Sequence, residues 1–95
     1  MAKPTITDNT EEHRYEARLD GELAGYLVYE QTGDVVDLPH TLVFPQYEGK
    51  GIAGRLVRHG LDDIRDRGLT VTPTCPYVDS WIQRHPDYAD LVHQS

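Results

Sequence analysis

The chain has 95 residues and carries 16 acids against 9 lysines and arginines, a net charge of −7 at pH 7 with histidine neutral. That length makes one small domain with a modest core, and the charge argues against a general binder of nucleic acid or of an anionic membrane. The single cysteine, Cys75, excludes an internal disulfide and suits a reducing cytoplasm, and no run approaches the roughly 20 apolar residues of a membrane span.

Residues 1–12 are polar, carry no signal-peptide core and read as a flexible N-terminus to one domain over 1–95. From Arg14, "RYEARLD" alternates Tyr15, Ala17 and Leu19 against Arg14, Glu16 and Arg18, the pattern of a half-buried strand. Asp20–Gly21 reads as a hairpin turn. "ELAGYLVYEQ" follows as a second strand, Thr32 to Asp34 as another turn, and "VVDLPHTLVF" as a third extended run. Pro39 interrupts that run. Proline has no N–H for the ladder, so a bulge is expected there, or a strand that starts after it.

The period then changes from 2 to 3.6. Ile52, Ala53, Leu56, Val57, Gly60, Leu61 and Ile64 fall on one helical face, and Gly68 is a natural stop. "LTVTPTC" returns to strand composition and ends at Cys75. "YVDSWIQRH" and "PDYADLV" read as short helices, with Pro86 suited to a first turn. The order is β-β-β-α-β-α, an antiparallel meander feeding a crossover helix.

Between strand and helix lies "GKGIAG", Gly49 to Gly54. Read literally it satisfies the G-x-G-x-x-G fingerprint of dinucleotide-binding domains, but its context differs. That fingerprint needs an acid about 20 residues on, and positions 69–75 hold none. A Walker A loop fails too, because no Ser or Thr follows the lysine at the helix start. What survives is physical: glycines before a helix expose backbone N–H groups at its positive end, a setting for phosphate. Gly49–Gly60 holds Lys50, Arg55 and Arg58 and no acid, a local +3 in a chain of −7. A plain glycine-rich turn is the alternative.

The stretch "TLVFPQYEGKGIAGRLVRHGLDDIRDRGLTV" resembles the acetyl-CoA-binding core of the GNAT superfamily of N-acetyltransferases. There a strand ending in V-x-P leads to [QR]-x-x-G-x-[GA] and a helix. Here Val43-x-Pro45 leads to Glu48-Gly49-Lys50-Gly51-Ile52-Ala53, with Glu where Gln or Arg is usual; a second register starts at Gln46. The short length, with "HTLVF" before the loop and "TPTCPYV" after it, resembles the minimal YjdJ-like branch. The implied fold is α+β: a mixed, mostly antiparallel twisted sheet with helices on both faces. It lacks the long helices that usually frame the acceptor, so an open acceptor cleft is expected.

The resemblance implies acetyl transfer from acetyl-CoA to an amine, either a small molecule or a protein lysine. The cofactor site falls on Gly49, Lys50, Gly51, Ile52, Ala53 and Gly54 for the pyrophosphate. A backbone donor for the thioester carbonyl falls among Thr41, Leu42 and Val43. The family's usual proton-donating Tyr maps to Trp81 or Ile82, which cannot serve. Cys75 could instead accept the acetyl group or protonate the leaving thiolate, or it is a small core thiol. His40 could act as base or orienting group, or simply sit satisfied on a sheet. Tyr77 is a further proton donor or a packing residue. Tyr15, Tyr26, Tyr29 and Trp81 read as packing residues, and His85 as a helix cap. His13, His59 and His93 lack the spacing of a metal site, so no metal is expected. Neither nucleic acid nor membrane is an expected partner, and a monomer or weak dimer is the expected state. The alternative function is a CoA- or acyl-CoA-binding module without turnover.

Overall fold

The computed structural model describes residues 3–94. Its elements are β1 (Thr5–Asn9), β2 (Arg14–Leu19), β3 (Glu22–Thr32), β4 (Val35–Val43), α1 (Ile52–Asp66), β5 (Thr70–Thr72) and α2 (Pro76–Arg84), with 3-10 turns at Pro45–Tyr47 and Pro86–Leu91. One sheet runs in the order β1-β2-β3-β4-β5. The first four strands are antiparallel neighbours, and β5 lies parallel to β4.

Strand β1 corrects the expectation of a flexible arm at residues 5–9, while residues 1 and 2 of that expectation lie outside the described residues. Thr5–Asn9 pair with β2 from Thr5↔Arg18 to Asn9↔Arg14. Two side-chain anchors hold this edge: Asn9 donates to the Glu16 carboxylate, and the Tyr29 hydroxyl donates to Asp8. The β2–β3 hairpin turns at Asp20 and Gly21, both with positive φ (52° and 82°), as a two-residue turn matched to strand twist requires.

At Pro39 the bulge is present. The register passes from Val28↔His40 to Glu30↔Asp37, so Leu38 and Pro39 stand opposite the single residue Tyr29. Helix α1 follows the predicted face, burying Ile52, Leu56, Val57, Gly60, Leu61 and Ile64 against Tyr15, Ala17, Leu27, Val36 and Leu38 in one core. A Cβ at Gly60 would come within 2.9 Å of Leu27, so glycine lets the helix lie close on the sheet. The opposite side of β2–β4 carries Arg14, Glu16, Tyr26, Val28 and His40, and of these only Glu16 is buried.

Beyond α1 the chain differs from expectation in one place. Strand β5 ends at Thr72, so Cys75 is not its last residue but the N-cap of α2, which begins at Pro76. Proline at the first helical position has no N–H to leave unpaired and its φ suits the helix. "PDYADL" forms the second short helix expected there, of the 3-10 kind.

Candidate active site

The end of β4 is where the sheet opens. Pairing of β4 with β5 stops at Asp37↔Thr72, and a last backbone bond runs from the Cys75 N–H to the Leu38 carbonyl (2.9 Å). Past that point β4 keeps only β3. Phe44 donates its N–H to the Ala24 carbonyl of β3 (2.9 Å). Alternate residues of an antiparallel strand face the same neighbour, so Leu42 faces β3 as well. Thr41 and Val43 therefore turn their N–H and C=O groups into the gap. Of the three expected carbonyl donors, Leu42 drops out because its amide is committed to the sheet.

Cys75 closes the inner end of this gap. It is 6% exposed, and its sulfur lies 3.6 Å from the Thr41 hydroxyl. No side-chain oxygen caps α2; the thiol stands in that place. Burial opposes ionisation of the thiol. The N–H of Val78, the Thr41 hydroxyl, and the N–H groups of Tyr77 and Thr41 outweigh burial and hold its pKa below the ordinary thiol value. A ring of donors around one sulfur favours the thiolate, the reactive form.

His40 is not brought to Cys75. Adjacent strand residues project to opposite faces, and Thr41 points to Cys75. His40 stands exposed on the other face, its ring 6.3 Å from that of Tyr26. The neighbouring Glu16 is 4% exposed. Burial raises its pKa, but hydrogen bonds from Arg14 (2.7 Å), Asn9 (3.1 Å) and Arg18 (3.2 Å) bring it below the usual carboxylate value. Every one of its strong partners is internal, so this group is structural.

The glycine turn lies at the same end. Gly49 and Gly51 have φ of 81° and 76°, a conformation open to glycine at little cost. Gly51 is the N-cap of α1, without a side-chain cap, and the first intrahelical bond is donated by Arg55 to the Gly51 carbonyl (3.2 Å). The N–H groups of Ile52, Ala53 and Gly54 thus have no intrahelical partner, while the Ile52 side chain is buried in the core. Two clefts flank this turn. The larger, about 690 Å³, is lined by Lys3, Leu19, Asp20, Gly49, Lys50 and Arg55 among others. The smaller, about 380 Å³, lies among Gly51, Gly54, Arg55, Arg58 and Trp81.

Several of these residues lie outside the sequence-based expectation. Trp81, read as packing, is 4% exposed, yet its indole nitrogen is 3.6 Å from where a Cβ on Gly54 would sit, and the Tyr77 hydroxyl is 3.7 Å from it. The amides of Tyr77 and Val78 act on Cys75 because α2 starts at Pro76, and a proline directly after Cys75 was the signal. His85 is the C-cap of α2, its Nδ1 2.7 Å from the Trp81 carbonyl oxygen. Among the described residues no cluster of His, Cys, Asp or Glu is placed to hold a metal ion. Among the described residues no helix is long and apolar enough to cross a membrane.

Comparison with known proteins locates the architecture. A sequence profile described as GCN5-related N-acetyl-transferase matches residues 14–91. Protein NATD1 of Mus musculus is 31% identical over 83 residues, covering 85% of this chain and 76% of the mouse protein. A GCN5-like protein of Staphylococcus aureus, solved by NMR, superposes with a TM-score of 0.75 at 15% identity, over 100% of this chain and 93% of that one. A GNAT family acetyltransferase of Brucella melitensis, solved in complex with acetyl-CoA, gives a TM-score of 0.59 at 23% identity, over 76% of this chain and 50% of that one. At these identities the two structures speak for the fold.

Proposed function

The chain belongs to the GCN5-related N-acetyltransferase family of acyl-transferring enzymes, and on that premise we propose that it transfers the acetyl group of acetyl-CoA to an amine. One observation carries the reading. Two sets of backbone N–H groups without a partner in the sheet or helix, Val43 in the gap and Ile52 to Gly54 at the head of α1, meet at one end of β4, with the Thr41 N–H turned to the Cys75 sulfur beside them. A thioester linked to a pyrophosphate by an extended arm needs both. The Brucella neighbour's acetyl-CoA supports the choice of donor.

In this reading Gly49, Lys50, Gly51 and the amides of Ile52, Ala53 and Gly54 receive the pyrophosphate, where helix polarity and Lys50 favour negative charge. Val43 offers its N–H group to the thioester carbonyl as charge builds on its oxygen, and Thr41, with hydroxyl and N–H turned to Cys75, holds the sulfur beside it. Cys75 takes the chemical role, and its donor ring favours the nucleophilic one. Its thiolate adds to the acetyl carbonyl, the bond from that carbon to the CoA sulfur breaks, and the CoA thiolate leaves and takes up a proton. A neutral amine then takes the acetyl group from Cys75 and loses a proton as the Cys75 thiolate is regenerated. His40 stands on the opposite face of the sheet from Cys75, so the proton of an amine reacting at that sulfur passes to water, and His40 is left to orient an acceptor on its own side.

The acceptor we favour is a cationic amine, a small molecule or a protein lysine, which the net charge of −7 attracts. The stretches "HTLVF" before the loop and "TPTCPYV" after it are our ground for placing the chain in the minimal YjdJ-like branch as one domain over residues 1–95, and the lone free thiol supports a cytoplasmic setting. A non-catalytic acyl-CoA-binding module is the second reading. Trp81 and Ile82 stand where the family's acid is expected, and neither can donate a proton to a thiolate.

Thermal shift tests the donor site. CoA should raise the melting temperature, because a ligand bound only by the native state stabilises it. NAD and NADP should leave it unchanged. A larger shift with NAD than with CoA would overturn the assignment.

A further inference from the structure

The chain contains only two lysines, Lys3 and Lys50. The fold brings both to one cleft, the larger of the two beside the glycine turn, together with Arg55. Among the described residues none of the three makes an ion pair; the paired arginines are Arg14, Arg18, Arg65 and Arg67. Asp20 is the one acid lining the cleft. In a chain of −7 this is a concentration of uncommitted positive charge, drawn from the N-terminal segment, the turn and the first turn of α1. Arg58, which lines the smaller cleft, is otherwise engaged, lying 5.2 Å over the Trp81 ring and donating to the Tyr88 hydroxyl at 3.3 Å.

We infer that Lys3, Lys50 and Arg55 form a receptor for the 3′-phosphate of coenzyme A, so that the protein distinguishes coenzyme A from its 3′-dephospho form. The inference rests on the donor-site reading above. With the pyrophosphate on the Gly49–Gly54 amides, the next phosphate of the molecule is one ribose away, and Gly49 lines this same cleft. A volume of about 690 Å³ accommodates an adenosine. Leu19 and Pro4 supply apolar surface for the base, and Asp20 an acceptor for a ribose hydroxyl or the adenine amino group. A phosphate monoester carries close to two negative charges at neutral pH, more than either pyrophosphate unit, and three cations from separate elements suit that charge. Lys3 is the discriminating residue because it lies outside the glycine turn.

The test is calorimetric titration of the full chain, tagged at its C-terminal end, with coenzyme A and with 3′-dephospho-coenzyme A. The wild type should bind coenzyme A about tenfold more tightly, the difference one good charged contact makes. Lys3→Met should bring that ratio to about twofold or less by weakening coenzyme A alone. Lys3 is exposed, so folding is not at stake, and Lys50→Met provides a second variant, expected to weaken both ligands but coenzyme A more. Equal binding of the two ligands by the wild type, or a ratio unmoved in Lys3→Met, would overturn the inference and leave the donor site standing. Absence of binding by either ligand would overturn the donor site with it.

Discussion

The two halves of β4 are built from similar residues and end in different circumstances. Val35 to Asp37 are paired on both sides, with β3 and with β5, and Val36 and Leu38 are buried in the core. His40 to Val43 are paired with β3 only. The bulge at Pro39 divides them. An extra residue exchanges which positions face which neighbour, so that past the bulge Thr41 and Val43 present their amides to a gap rather than to a strand. One half of a single strand supplies stability, and the other half keeps free the hydrogen-bonding groups that a substrate needs.

Truncating the paired half should give the largest change in stability. Leu38→Ala removes a fully buried side chain and should cost about 2–5 kcal/mol, measured by denaturant unfolding, with CoA affinity per folded molecule retained. If Leu38→Ala weakened CoA binding more than it weakened the fold, the division of β4 at Pro39 would not hold.

At the mouth of the open half the sharper probe is Gly54 rather than Gly51. A side chain on Gly51 meets open space but must adopt φ of 76°, which strains any β-branched residue. At Gly54 a methyl group meets Trp81 and Tyr77 at 3.6 and 3.7 Å, ordinary contact distances. Gly54→Ala should therefore raise stability by up to about 1 kcal/mol through helix propensity. It should also lower CoA affinity by about tenfold by filling the approach to the amides. An unchanged affinity would remove Gly54 from the site.

A smaller effect tests the donor ring at Cys75. Because its folded pKa lies below the ordinary value of 9.0, alkylation by a small haloacetamide should rise with pH to a midpoint below that value. Thr41→Val deletes one donor and should move the midpoint upward. The same shift sets the sign of the stability effect. Ionisation of Cys75 stabilises the fold fully above the ordinary thiol value, and the contribution is lost as pH falls through the lower folded pKa. A midpoint at or above 9.0 in the wild type would show that burial wins over the donors.

How much of this was legible in the sequence depended on whether the signal was periodic or spatial. Helix α1 was readable because Ile52 to Ile64 repeat at helical spacing around a buried stripe. The glycine turn was readable because Gly49, Gly51 and Gly54 stand in a row where glycine costs stability. Strand β1 was not, because Ile6 is its lone apolar residue and its anchors, Asn9 to Glu16 and Asp8 to Tyr29, are tertiary. Placing Cys75 at a strand end overlooked Pro76, whose fit to a first helical position marks Cys75 as a cap. The separation of His40 from Cys75 follows from the parity of Thr41 beside it, which the bulge sets and composition does not reveal. The meeting of Lys3 with Lys50 depends on β1 and the β2–β3 hairpin both being in place.

The most direct test of acetyl transfer is the release of CoA thiol from acetyl-CoA in the presence of a panel of small amines and lysine peptides, with intact mass recorded on the same samples. Wild type should release CoA in amine-dependent turnover and, before amine is added, carry one acetyl group that Cys75→Ser does not carry. Cys75→Ala should slow turnover by about a hundredfold or more while binding CoA nearly as well. Tight binding of acetyl-CoA with no amine-dependent release, and no acetyl group on Cys75, would contradict the account and mark the protein as an acyl-CoA-binding module.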